Sequence, residues 1–422
     1  MSLIAEQWQI VRAKRLDFGL LLPALALSVI GYVMITSASM DVVAIKFDDP
    51  FYQSKRQLLF MFMGVVSLVV CLMIPLKVWQ KQSPYLLLLG FLLLVAVLIP
   101  GLGKNVNGST RWIPIGPLSL QPSEFAKIAV VAFMAGYLVR QQEEIRNSFA
   151  GFYRSLFVLG AYIVLFLLEP DFGAVVVMMA AVLGMFFLAG LRKRYISIVL
   201  LATAALGTIT IFAAEYRLKR LITYLDPWSD PFGSGYQLTQ AQIAFGRGGW
   251  FGEGLGQSMQ KLFYLPEAHT DFVYSVLAEE WGAFGALVVV ALYGVLIVRG
   301  LHVGQIAERL GNHFSAYLAY GLILLIAAQA MINIGVNLGL LPTKGLTLPF
   351  VSYGGSSMLA CAASIGILLR ISLENKMLPK ADAQPDFSQS EFDETQPKVT
   401  SGLDDVDRWF EDQKAEGAQQ YD

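Results

Sequence analysis

The chain has 422 residues, 55% of them apolar and only 15% charged, with a mean hydropathy of +0.56. A soluble globular domain carries about a quarter of its residues charged, so a chain this apolar, with its apolar residues in long runs, is not a soluble enzyme. The formal net charge of −1 hides a division, because residues 377–422 hold twelve acids and four bases, a tail of −8 that leaves +7 on the body.

Apolar runs of spanning length fall at 17–37, 57–76, 83–102, 123–140, 152–168, 172–190, 195–215, 272–298, 314–340 and 353–373. Only helices and closed barrels satisfy the backbone in lipid, and runs this continuous, without period-two alternation, mean helices. The predicted fold is therefore all-α, a polytopic integral membrane protein of about ten transmembrane helices. The first run follows Arg12, Lys14 and Arg15 and ends near Ser37-Ala38-Ser39. It exceeds the 7–15 apolar residues of a signal-peptide core, so it reads as an uncleaved first span. Sixteen Lys and Arg, from Arg12 to Lys380, fall on one side of the predicted spans. Six fall in the short loops of the other: Lys46, Lys55, Arg56, Lys104, Arg111 and Lys344. The positive-inside bias then places both termini in the cytoplasm. Cys71 and Cys361 lie in apolar runs and suggest neither a disulfide nor a metal site. The chain divides into a cytoplasmic segment 1–16, a membrane domain 17–376 and an acidic cytoplasmic tail 377–422. The tail reads as disordered, and Asp404 to Phe410 as flexible chain rather than a linear motif.

Two outward segments break the apolar pattern. In 103–127 the Gly, Pro and Trp residues suggest a re-entrant or interfacial stretch, with Trp112 at headgroup level. The glycosylation match at Asn107-Gly108-Ser109 is discounted as a chance triplet. Pro122 suits the first turn of the fourth span, and Glu124 and Lys127, three residues apart, share a face. Charges inside a span are functional candidates, although an ion pair that locks helices together explains them equally well.

The second segment, about 216–270, is a large periplasmic loop between helices 7 and 8, and loops of this length tend to be functional. Its basic cluster Arg217, Lys219 and Arg220 either anchors the chain at the headgroups or binds a phosphate or diphosphate group through arginine forks. Glycines at 246, 248, 249, 252, 254 and 256 lack the Gly-Lys-Ser/Thr of a nucleotide loop. They permit close backbone approach to a ligand, or tight packing. Before the eighth span stands Glu267-Ala268-His269-Thr270-Asp271. Thr270 is placed to cap the helix and Asp271 to sit in its first turn, either as a second capping acid or as a general base at a cavity edge. Glu279 and Glu280 follow on the same helix. Gln329, Asn333 and Asn337, spaced by four, line one face of the ninth span and suit interhelical hydrogen bonding better than a transport path. His269, His302 and His313 have no metal spacing, and only His269 is near the site.

On residues alone, two classes fit: an enzyme acting on a phosphorylated lipid at the outer leaflet, or a transporter of such a lipid. Charges gathered at the outer rim rather than the midplane favour the enzyme. At these same positions the chain resembles the SEDS (FtsW/RodA/SpoVE) family of cell-wall polymerases over about 15–376. The likeness rests on Val106-Asn107-Gly108-Ser109 with Arg111-Trp112, Gln121-Pro122-Ser123-Glu124 with Lys127, and Glu169-Pro170-Asp171-Phe172-Gly173. It extends through Gly235-Tyr236-Gln237, Leu265 to Phe272, and Pro349 to Ser357. The Asn-Gly-Ser segment, Pro266-Glu267-Ala268-His269 and Gly345 to Pro349 look like the division branch rather than the elongation branch.

The resemblance implies a peptidoglycan glycosyltransferase that polymerises lipid II, an undecaprenyl-linked disaccharide, on the outer face of the bacterial inner membrane at the septum. It implies a class B penicillin-binding protein as crosslinking partner, with division proteins of the FtsQ, FtsL, FtsB and FtsN kind, and no nucleic acid. The family's essential aspartate maps onto Asp271, and its intramembrane acid and base onto Glu124 and Lys127. Arg217, Arg220, His269 and Lys344 complete the candidate substrate-binding set. A divalent cation, Mg²⁺ or Mn²⁺, would help a diphosphate to leave. The alternatives are a lipid II flippase using the same headgroup site, and a scaffold that recruits the crosslinking enzyme.

Overall fold

The computed structural model describes residues 16–106, 109–116, 118–147, 150–198, 201, 212, 224–343 and 345–377. The chain opens with α1 (Phe18–Phe47), α2 (Tyr52–Met73) and α3 (Leu76–Leu98), followed by three short strands, β1 (Lys104–Val106), β2 (Ser109–Ile115) and β3 (Leu118–Leu120). Then come α4 (Pro122–Arg140), α5 (Gln142–Asn147), α6 (Ala150–Leu168), α7 (Phe172–Leu188), α8 (Tyr236–Gly248), α9 (Val273–Arg309), α10 (His313–Asn337) and α11 (Gly355–Asn375). Among the described residues seven helices, α1 to α4 and α9 to α11, are long and apolar enough to span a bilayer, and α6 and α7 are shorter apolar helices. The protein is a helical, multi-pass membrane protein. Most of the predicted seventh span, the basic cluster with Arg217 and Arg220, Lys344 and the acidic tail lie outside the described residues.

α11, α4 and α10 form the centre, with 94%, 78% and 72% of their apolar windows buried, whereas α2 and α3 bury 28% and 22% and present their remaining apolar surface outward. α11 packs along α2, α9 lies between α1 and α10, α3 leans on α4, and α10 is also flanked by α7 and α4. Close approach depends on small residues: a Cβ at Gly366 of α11 would stand 2.4 Å from the Leu68 carbonyl of α2.

The stretch 103–127, read as re-entrant or interfacial, holds an antiparallel meander ahead of α4, β1-β2-β3, with Lys104 opposite Trp112 and Ile113 opposite Leu120. Its strands are only three to seven residues long, too short for period-two alternation to register in the sequence. The meander delivers the chain to Pro122 at the first turn of α4, as the sequence predicts.

The second outward segment also carries structure, with a 3₁₀ turn at Pro227–Ser229 and α8 within it. Beyond α8, residues 249–254 run against a break in α9. Gly282 there adopts φ 69° and ψ −173°, a region open in practice only to glycine. The break frees backbone groups that lipid cannot satisfy, and the loop takes them up. Ala283 N–H donates to the Gly249 carbonyl at 2.9 Å and Phe284 N–H to that of Trp250 at 3.1 Å. Glu253 and Gly254 N–H donate to the carbonyls of Glu279 and Glu280. The glycine run thus serves packing: a Cβ at Gly248 or Gly252 would lie 2.0 or 2.1 Å from the Ala278 or Glu280 carbonyl.

Ion pairs with a buried carboxylate mark two levels of the bundle. At one end Asp17, the α1 N-cap, receives Arg299 of α9 at 2.9 Å and the Ser372 hydroxyl of α11 at 3.0 Å. At the other, Glu280 of α9 receives Ser37 of α1 at 2.6 Å and Lys261 at 3.2 Å. Asp17 and Ser37 are twenty residues apart on α1, about 30 Å at 1.5 Å per residue, which matches a hydrocarbon core.

Candidate active site

At the end of the bundle away from Asp17 lies a cavity of about 860 Å³. Its wall draws on distant parts of the chain: Arg56 on α2, Lys104 and Arg111 on the meander, Asp171 before α7, Gln237 on α8 and Asp271 before α9. Ser357 on α11 and Thr347 in the non-helical run 345–354 complete its floor.

Asp271 does not sit in the first turn of α9, and Thr270 does not cap it. The helix begins at Val273, with Phe272 at the N-cap position and no side-chain cap. Thr270 instead donates to the Glu267 carboxylate at 2.7 Å. Released from the helix, Asp271 stands half-buried on the cavity wall. Burial pushes its carboxyl up to about 7, the negative charge of Glu267 adds to the rise, and the Arg111 guanidinium opposes it. A carboxyl poised there is half ionised near neutral pH and suited to accept a proton.

The backbone around Asp271 is pinned at three successive carbonyls. Tyr353 N–H donates to the His269 carbonyl at 3.0 Å, and the Ser352 hydroxyl to that of Thr270 at 2.5 Å. The Asn333 and Asn337 amides both donate to the Asp271 carbonyl at 2.9 Å. His269 lies behind the cavity wall rather than in it, with its imidazole Nε2 3.1 Å from Gln53 Nε2 and its ring against Tyr353.

Glu124 and Lys127 form the ion pair their spacing predicts, at 3.0 Å and almost fully buried. They border a separate void of about 20 Å³, so they do not line the large cavity. A polar chain joins the two. Lys127 donates to Gln329 Oε1 at 2.8 Å, Gln329 donates to the Thr347 carbonyl at 3.1 Å, and the Thr347 hydroxyl donates to Ser357 at 3.0 Å.

Of the three cations of the cavity, Arg56 and Lys104 enter the sequence reading only as loop charges that set orientation, and Arg111 as such a charge and as part of the family resemblance. Arg111 is the most firmly held. Its Nε donates to the Glu169 carbonyl at 3.0 Å, its guanidinium also donates to the Pro170 carbonyl, and Asp171 lies 4.0 Å away. Asp171 in turn caps α7 and accepts from Ser123 at 3.3 Å. Arg56 lies over the rings of Tyr52 and Phe60. The one available signal was Arg111 beside Trp112 in a polar gap, and Trp112 also lines the cavity. Among the described residues no three His, Cys, Asp or Glu gather as metal ligands.

A cavity joining one raised carboxyl to three cations suits transfer of a group from an anionic leaving group to a hydroxyl. Residues 19–377 match the model of the FtsW/RodA/SpoVE family, described as a cell cycle protein. The chain belongs to that family. It is 53% identical over 380 residues to the probable peptidoglycan glycosyltransferase FtsW of Pseudomonas fluorescens, covering 90% of this chain and 93% of that protein. It is 49% identical to the one of the same name from Legionella pneumophila, covering 85% and 89%. Among solved structures it is similar to a chain from work described as structural coordination of polymerization and crosslinking by a peptidoglycan synthase complex, with a TM-score of 0.71 and 28% identity. That match covers 85% of this chain and 98% of the other. It also resembles the rod shape determining protein RodA of Thermus thermophilus, with a TM-score of 0.63 and 26% identity, covering 85% and 96%.

Proposed function

We propose that the chain is a peptidoglycan glycosyltransferase of the division type, which joins lipid-linked disaccharides of lipid II into glycan strands. The observation that carries the reading is the single cavity wall shared by Asp271, Arg111, Lys104 and Arg56. Asp271 takes the proton of the acceptor sugar 4-hydroxyl as that oxygen bonds to the anomeric carbon of the donor. The bond from this carbon to the diphosphate oxygen breaks, and undecaprenyl diphosphate leaves with the electron pair. Its charge is met by Arg111, Lys104 and Arg56, as oriented cations stabilise charge developing in a transition state. Glu124 and Lys127 act from beneath, holding the floor through Gln329 and Thr347.

A divalent ion fits this site only as a companion of the diphosphate. Mg²⁺ commonly takes one or two carboxylates together with substrate phosphates, and Asp171 and Glu267 are the wall carboxylates left once Asp271 serves as the base. A flippase would place its site near the midplane. Here the floor residue Ser357 stands fifteen residues along α11 from the Ser372 level, about 22 Å at 1.5 Å per residue, so the cavity belongs to one face. The cavity faces the periplasm of the inner membrane at the septum, with both termini in the cytoplasm, where the Lys and Arg bias of the short loops favours them. Likeness to a chain of a synthase complex that polymerises and crosslinks supports a class B penicillin-binding protein as partner, beside other division proteins.

The test is conversion of lipid II to glycan polymer by the purified chain with its penicillin-binding partner. Asp271→Asn is expected to lose about 10²–10⁴ in rate, the usual worth of a general base, while still binding lipid II. Wild-type turnover in that variant would remove Asp271 from the chemistry, and lipid II translocation without polymer would favour the flippase.

A further inference from the structure

Two side chains of α10 converge on one oxygen. Asn333 and Asn337 each direct an amide N–H at the Asp271 carbonyl, both at 2.9 Å, and both residues are buried. Each is itself held. Asn333 also donates to the Leu346 carbonyl of the cavity floor run. Asn337 donates to the Asn333 carbonyl at 2.9 Å, and its own Oδ1 accepts from Ser275 N–H at 3.1 Å and the Ser275 hydroxyl at 2.7 Å. A carbonyl just ahead of a helix needs one donor for its backbone to be satisfied. This one has two, both from outside its own helix and both fixed in rotamer by second bonds.

We infer that Asn333 and Asn337 are positioning residues that fix the backbone of Asp271, and so hold its carboxyl on the cavity wall. The inference rests on the reading of Asp271 as the base. Neither asparagine lines the cavity, so neither touches substrate. The geometry fixes the point on the cavity wall from which the Asp271 side chain starts. With its carbonyl clamped from α10 and the two preceding carbonyls held by Ser352 and Tyr353, only its side-chain torsions remain free. The charges acting on Asp271 are Glu267 from its own loop and Arg111 from β2. From α10 and the run 345–354 the described groups nearest it are uncharged: Asn333, Asn337, Gly345 and Ser352.

The experiment uses the full chain with its penicillin-binding partner and lipid II, and measures kcat, KM and the pH–rate profile. Asn333→Leu removes one donor at nearly constant shape, and Asn337→Leu removes the other, combined with Ser275→Ala so that no buried hydroxyl is left without its acceptor. Each is expected to lower kcat by as much as about 10²-fold, as a misplaced reacting group does, with KM nearly unchanged. The acid limb of the profile moves to lower pH, because a loosened carboxyl regains water. Asn333→Ser keeps a short donor; it is expected to fall between these variants and the wild type, and it serves if a harsher variant does not fold. Unchanged kcat and acid limb would overturn the clamp. So would a lower kcat with the limb fixed, which marks a role in general stability only. Asp271→Asn, run in parallel, separates the two readings, since full turnover there overturns the base and the clamp together.

Discussion

Two carboxyls near the cavity are shifted upward and have different consequences. Asp271 faces the cavity, and its elevation to about 7 predicts a polymerisation rate that falls away below neutral pH as the base is protonated. Glu169 is fully buried, neither of its oxygens has a partner, and burial, with the charge of Asp171 adding, pushes it up to about 8. Its folded-state value exceeds the unfolded one, so the folded form binds more protons between about pH 4.5 and 8 and loses stability as pH rises through that window. Glu169→Gln is expected to raise the melting temperature at pH 8 relative to wild type and to leave little difference at pH 5, as followed by thermal unfolding in detergent. The sequence made Glu124, Lys127 and the Gln329–Asn333–Asn337 face legible, because charge or amide in an apolar run is conspicuous, whereas Asp271, just ahead of such a run, stood out as a base through the family resemblance. Arg56, Lys104 and Arg111 were not legible as a set. They come from helix and strand positions brought together only by the fold, and each looks like an ordinary loop charge in isolation.

At the level of elements, long apolar runs gave the helices directly, with α4 starting at Pro122 as expected. Segments stabilised by tertiary contact escaped: the short meander, α8, and the break in α9. Nothing in the run 272–298 marks Gly282 as a break, since isolated glycines are common in spans. What holds the break is the loop 249–254, and only the density of glycines there hinted at it. Gly282→Ala would force a residue with a Cβ into φ 69° and bring that carbon within 2.5 Å of the Trp250 backbone. The strain alone is worth about 1–3 kcal/mol, so a lower melting temperature is expected. Gly294→Ala, where an added Cβ meets nothing within 4 Å, serves as the control and should leave it unchanged.

On the scale of the bundle, among the described residues, buried charges sit near its two ends and beneath the cavity floor. The Lys261–Glu280 pair ties the outward loop to α9 and, through Ser37, to α1. Both charges are almost fully buried, so Lys261→Met alone strands a carboxylate and is expected to cost about 3–5 kcal/mol. Lys261→Met with Glu280→Leu should recover most of that loss, because a pair replaced by apolar groups is often nearly neutral. Comparing melting temperatures of the single and double variants reads the difference.

The interruption of α9 bears on how the enzyme tolerates membranes of different thickness. Spans accommodate mismatch by tilting, and an unbroken α9 would turn every change of tilt into a displacement of Asp271 at its head. As built, residues 273–281 are moored to α10 through Ser275 and Asn337, while 283–309 have anchors of their own, in the loop at Gly249 and Trp250 and at Asp17 through Arg299. The place of Asp271 is thus set by the anchors of the short head piece and not passed to it along one continuous rod.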